Sequence, residues 1–275
     1  IIYRSWGIGD HSFWQDELAL YYNTNRPLDS LMKYCLNFSY HPPVFYLFNK
    51  VLVSIIEFNE LWTRVSHVLI GLLCAFIPLL FKKSLGEKFA FYFSILILSN
   101  TAISTFSSYA LVYSLVLFFL ILFLCLLQSF LIDQKKSLFW SLLAVSVLIS
   151  YLNYFALFII SFTLMITILQ NYQKRNIFKP LLLCSFFMFL CYVPWLLNNH
   201  LFLKVFVSKP SSIYFWYRDL NIFDNIQKGI FFLFSNNPSY LILYFVICIY
   251  GLIKQRNRAF NLFFVQFLFL SLGYT

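Results

Sequence analysis

The sequence predicts an all-α, polytopic transmembrane protein, and three observations predict it. Hydrophobic residues make up 61% of the 275-residue chain, while charged residues make up only 11%. The apolar residues gather in runs of about 20, the length needed to cross a hydrocarbon core of about 30 Å. Of the 20 Lys and Arg, 11 fall in four short clusters between those runs, the distribution that the positive-inside rule produces. Mean hydropathy of +0.77 and an aromatic content of 22% point the same way, far from a soluble globular domain. The net charge of +10 is therefore read as membrane topology, and nucleic acid is excluded as a partner. Polar breaks between the runs are short, so residues 1–275 are read as a single transmembrane domain with loops on its non-cytoplasmic face.

The elements follow in order. The chain opens on Ile1 without an initiator Met and stops inside an apolar run at 267–275, which suggests a fragment lacking an N-terminal helix and a C-terminal part. Residues 1–60 form an outer-face loop carrying an acid pair, Asp16-Glu17. Within it, 43–58 is apolar but short, with Asn49-Lys50 at its centre and Glu57 near its end. A Lys at mid-span costs about 2.5–3.5 kcal/mol on insertion scales. The segment is therefore an interfacial helix opened by Pro43. If 43–58 spanned instead, the acid pair would face the cytoplasm.

Spans are expected at 61–81, 89–106, 109–131, 138–152, 155–171, 180–197, 240–253 and 259–273. The chain turns outside at 104–108 and near Asn153, and residues 198–239 form a second outer-face loop. This path puts the clusters Lys82/Lys83/Lys88, Lys135/Lys136, Lys174/Arg175/Lys179 and Lys254/Arg256/Arg258 on one side. The six cysteines contain no CxxC spacing, so neither a zinc cluster nor a disulfide framework is indicated.

The candidate chemistry lies on the outer face. With only 10 Asp and Glu in the chain, two adjacent carboxylates are costly. Asp16 is the candidate catalytic base, with helix capping as the bland alternative. Glu17 is grouped with it, to orient a partner or hold a structural bond. His41 precedes Pro42-Pro43 and either ends the loop or donates to a phosphate oxygen. Arg64 opens a span, where it either snorkels or pairs with phosphate. His67, one turn deeper, is an intramembrane ionisable group, with hydrogen-bonded packing the stronger reading. Tyr109, Tyr113 and Tyr154 line a lipid groove or belong to an interfacial aromatic belt. Arg218, within Trp216-Tyr217-Arg218-Asp219, covers an acceptor site or anchors the interface.

Six segments carry a resemblance. Ser12-Phe13-Trp14-Gln15-Asp16-Glu17, Tyr40-His41-Pro42-Pro43-Val44-Phe45-Tyr46-Leu47 and Glu60-Leu61-Trp62-Thr63-Arg64 resemble the "SxWxDE … HPPxxYxL … ExxxR" opening of GT-C glycosyltransferases, in particular the protein O-mannosyltransferase and aminoarabinose-transferase-like group. Ser108-Tyr109-Ala110-Leu111-Val112-Tyr113-Ser114-Leu115 is similar to that family's "ARxYxL" segment, with Leu111 at the arginine. Tyr151-Leu152-Asn153-Tyr154-Phe155-Ala156 resembles its "YTHYFxL" turn, with Asn153 at the histidine, and Tyr192-Val193-Pro194-Trp195 its Pro/Trp helix end.

The resemblance implies a GT-C-like fold and a polyprenyl-phosphate sugar donor. It also implies a protein, lipid or glycan acceptor at the outer face of a membrane, such as the bacterial cytoplasmic membrane. Asp16 and Glu17 then become catalytic; His41, Arg64, Tyr109, Tyr113, Asn153, Tyr154 and Arg218 become substrate-binding. A divalent metal stays open, because relatives with Lys-Pro-Pro carry a metal-binding carboxylate where this chain has Tyr40. The rival classes are a transporter or flippase of lipid-linked glycans and a glycan polymerase or ligase. A transporter places charges near the midplane of several spans. Here the carboxylates cluster outside them, which favours the enzyme.

Overall fold

A computed structural model of the chain describes residues 15–37, 42–56, 59–99 and 109–198. Among these residues the fold is all-helical, without a strand. Three short helices come first: α1 (Gln15–Thr24), α2 (Leu28–Asn37) and α3 (Pro43–Ile55). Pro43 opens α3, where its missing N–H removes no helical bond. The 13 residues of α3 reach only about 20 Å, short of a bilayer core. Its central cation is not stranded. Lys50 Nζ donates to the carbonyls of Thr24 at 3.0 Å and Arg26 at 2.7 Å, which holds α3 against the end of α1.

Helix α4 (Glu60–Leu73) starts at Asn59, whose side-chain oxygen accepts the Trp62 N–H at 2.8 Å. Glu60 in its first turn complements the helix dipole. A turn at 74–76 leads into α5 (Ile77–Leu80), because Pro78 has no N–H to continue the ladder. Then come α6 (Lys82–Leu85), α7 (Glu87–Ser99), α8 (Tyr113–Asp133), α9 (Lys136–Ser150), α10 (Tyr154–Gln170) and α11 (Arg175–Asn198).

Three stretches are long and apolar enough to cross a membrane: Glu60–Leu80, Tyr113–Asp133 and Arg175–Asn198. Helix α8 is the hub, packed against α4, α5, α6, α9 and α10, and 67% of its apolar window is buried. Phe123 and Leu120 of α8 meet Leu142 and Ile149 of α9, Ile160 of α10 and Leu181 of α11 in the core. Lipid offers helices no hydrophobic driving force to associate, so close packing and internal bonding matter more. The buried hydroxyls of Ser129, Ser146, Thr163 and Thr167 accordingly donate to carbonyls one turn back, at 2.7–2.9 Å.

The structure adjusts several expected spans. Helices α9 and α10 have 15 and 17 residues, or about 23 and 26 Å, shorter than the three long stretches; the last part of the expected span 89–106 lies outside the described residues. Helix α11 begins at Arg175, five residues ahead of Pro180, because the Ile177 and Phe178 N–H groups already bond to the Lys174 carbonyl. Most of the loop 198–239 and the expected spans at 240–253 and 259–273 lie outside the described residues.

Candidate functional site

The acid pair sits in the first turn of α1, and its second member is deeply buried. Glu17 has 0% exposure. Its Oε1 accepts from Arg64 Nε at 3.1 Å and its Oε2 from Arg64 Nη2 at 2.7 Å, a two-pronged guanidinium–carboxylate pair. Oε1 also accepts the backbone N–H of Ala110 at 2.8 Å. One carboxylate thus joins three segments far apart in sequence: the start of α1, the second turn of α4 and the approach to α8. Arg64 itself is only 4% exposed, so it neither snorkels nor lies open on the surface. Its charge goes to Glu17. Helix α1 begins at Gln15, which places Asp16 inside the first turn rather than ahead of the helix as a cap. An acidic residue there is still favoured by the helix dipole.

A second buried cluster lies one turn along α4. His67 Nδ1 stands 2.7 Å from Ser114 Oγ of α8, and His67 Nε2 stands 3.3 Å from Asn49 Oδ1 of α3. The Asn49 amide donates back to the Phe45 carbonyl at 2.9 Å. All three side chains are buried, and the rings of Phe45 and Phe48 flank the imidazole edge-on. The cluster therefore locks α3 to α4 and α8.

A third set of contacts holds the beginning of α3 to the far end of the bundle. The Val44 N–H donates to the Tyr151 carbonyl at 3.2 Å. Tyr151 in turn donates its hydroxyl to the Cys191 carbonyl at 2.7 Å and packs edge-on against Tyr192 and Trp195. That carbonyl neighbours the one that Pro194 leaves without its helical donor. Asn153 follows; its Oδ1 accepts the Ala156 N–H at 3.3 Å and caps α10.

The remaining candidates fall around these clusters. Tyr109 and Tyr113 are half-buried, on either side of the Ala110 contact and next to Ser114. Tyr154 opens α10, and of it, as of Asp16, the backbone alone is described. His41 and Arg218 lie outside the described residues. Burial pushes the Cys35 thiol up to about 12, so it is a protonated core group and not a nucleophile. Among the described residues no group of three His, Cys, Asp or Glu side chains is placed to hold a metal ion.

Sequence reasoning missed Asn49, Ser114, the Ala110 N–H and the Tyr151 hydroxyl as members of the network. Asn49 was visible as a polar break in an apolar run, but its partner at 67 could not be read from spacing. Replacing His67 with Leu should cost about 1–3 kcal/mol, because Asn49 and Ser114 lose a buried partner. Thermal unfolding in one detergent measures it, and an unchanged midpoint would show that the imidazole is not bonded as described.

Among the described residues the chain is all-helical, with three helices long and apolar enough to cross a membrane and a buried polar junction under its N-terminal helices. No family profile, curated protein or solved structure matches it.

Proposed function

We propose that the chain is a GT-C-type membrane glycosyltransferase. It moves a sugar from a polyprenyl-phosphate donor to an acceptor on the non-cytoplasmic face of a membrane, in a bacterium the cytoplasmic membrane. One observation carries the reading. The six segments that resemble the family, dispersed from 12 to 195 in sequence, are tied to one another by the contacts described above. Glu17, Arg64 and Ala110 link three of them. Val44, Tyr151 and Trp195 join the other three, and His67 and Asn49, just beyond two of the segments, connect the two sets through Ser114. Incidental matches to short patterns have no reason to converge.

In this reading Asp16 takes the proton of the acceptor hydroxyl as its oxygen attacks the anomeric carbon. The bond from that carbon to the phosphate oxygen breaks, and polyprenyl phosphate leaves. His41 donates to the departing phosphate and Arg218 helps to cover the acceptor. Glu17 and Arg64 hold the turn that carries Asp16. Tyr109, Tyr113 and Tyr154 border the lipid groove, and Asn153 shapes the turn beside it.

Membranes containing the chain, supplied with a panel of radiolabelled polyprenyl-phosphate sugars, test the proposal. Label passing to an acceptor with release of polyprenyl phosphate is expected for at least one donor. Movement of an intact lipid-linked sugar across the bilayer would favour a flippase instead, and no transfer from any donor would contradict the enzyme.

A further inference from the structure

An open cleft of about 610 Å³ lies at the opposite end of α8 from Ser114. It is lined by Leu131 from the end of α8, Gln134 from the α8–α9 turn, Gln173 and Lys174 from the α10–α11 turn, and Arg175, Asn176 and Ile177 from the start of α11. Lys135, Lys136 and Lys179 stand close in sequence to these residues and are exposed. The acidic residue of these two turns, Asp133, is already paired with Lys135 at 3.4 Å. Among the described residues the cleft therefore combines positive charge that no carboxylate pairs with and three side-chain amides.

A second observation indicates what fills it. Arg175, Lys179, Leu182, Phe186 and Phe189 recur at i, i+4, i+7, i+11 and i+14, which puts them on one face of α11. The last three are 50%, 57% and 60% exposed. That face is cationic beside the cleft and apolar along the rest of its length. A free anion would have no use for the apolar part, whereas a lipid needs both.

We propose that the cleft binds the headgroup phosphate of an anionic phospholipid, with Lys174 and Arg175 as its charge partners and the acyl chains laid along Leu182, Phe186 and Phe189. This site is separate from the proposed transfer chemistry and does not depend on it. Basic pockets between spans on the face rich in Lys and Arg suit anionic headgroups.

The full-length chain, equilibrated with mixed vesicles of phosphatidylglycerol and phosphatidylcholine and then purified in mild detergent, tests it by the ratio of the two lipids retained in native mass spectra. The parent should retain the anionic lipid preferentially. Lys174→Gln/Arg175→Gln should lower the ratio by about 10- to 30-fold. Both side chains are exposed, so the variant should keep its thermal midpoint, and Lys174→Gln alone should give an intermediate ratio as a second reading. Lys82→Gln/Lys83→Gln, which neutralises basic residues outside the cleft, should leave the ratio unchanged. An equal fall in that control would overturn the site in favour of diffuse surface charge. Displacement of the retained lipid by inorganic phosphate alone would make the cleft a free-phosphate site and also overturn the proposal.

Discussion

Arg64→Met should destabilise the protein by about 3–5 kcal/mol, because it leaves the buried Glu17 carboxylate without its counter-charge. The carboxylate has 0% exposure and accepts from Arg64 twice and from the Ala110 N–H once. Removing the guanidinium leaves one of those three donors, in surroundings that water does not reach. An exposed pair such as Lys82–Glu87, at 3.7 Å, is worth at most about 1 kcal/mol, so its loss should pass almost unnoticed. Glu17→Gln should also destabilise, since it removes the carboxylate that accepts from Arg64 twice. The double variant Glu17→Gln/Arg64→Met should be more stable than either single one, because it buries no charge and the amide oxygen still accepts from Ala110. Unfolding of the four proteins in one detergent measures this. A loss below about 1 kcal/mol for both single variants would mean that the pair is not the buried clamp described.

Much of the fold was legible because it follows from the run lengths of apolar residues. Pro43 marked a helix start, Lys50 argued against a span, and the apolar run expected from 61 lies in α4, which begins at Glu60. Helix lengths were less legible. Pro180 looked like a start although α11 begins at Arg175. Hydropathy reports solvent, not where a helix frays or which carbonyl begins the next turn.

At the site, residue types were readable and partners were not. Glu17 stood out as a costly charge, and a structural bond was among its readings. Nothing local says that its partners are 47 and 93 residues away. The same holds for His67, whose bonds to Asn49 and Ser114 cross 18 and 47 residues. The family pattern supplied order along the chain, and the tertiary fold supplied the pairing. Arg64 shows the difference: an Arg opening an apolar helix suggests a surface anchor or an anion ligand, while its burial and its two bonds to Glu17 make it the clamp of α1.

That clamp gives Asp16 its meaning, since it fixes the turn in which Asp16 sits beside Glu17. The most direct measurement is the rate of sugar transfer by purified Asp16→Asn at a folded fraction matched to the parent. The substitution changes one oxygen to an amide nitrogen and removes the basic lone pair without altering shape. Loss of the proposed general base should lower the proposed transfer by about 10²–10⁴-fold, with donor binding retained and the unfolding midpoint near that of the parent. Transfer at the parental rate by the folded variant would contradict the account, because Asp16 would then take no proton and the buried polar junction would be scaffold alone.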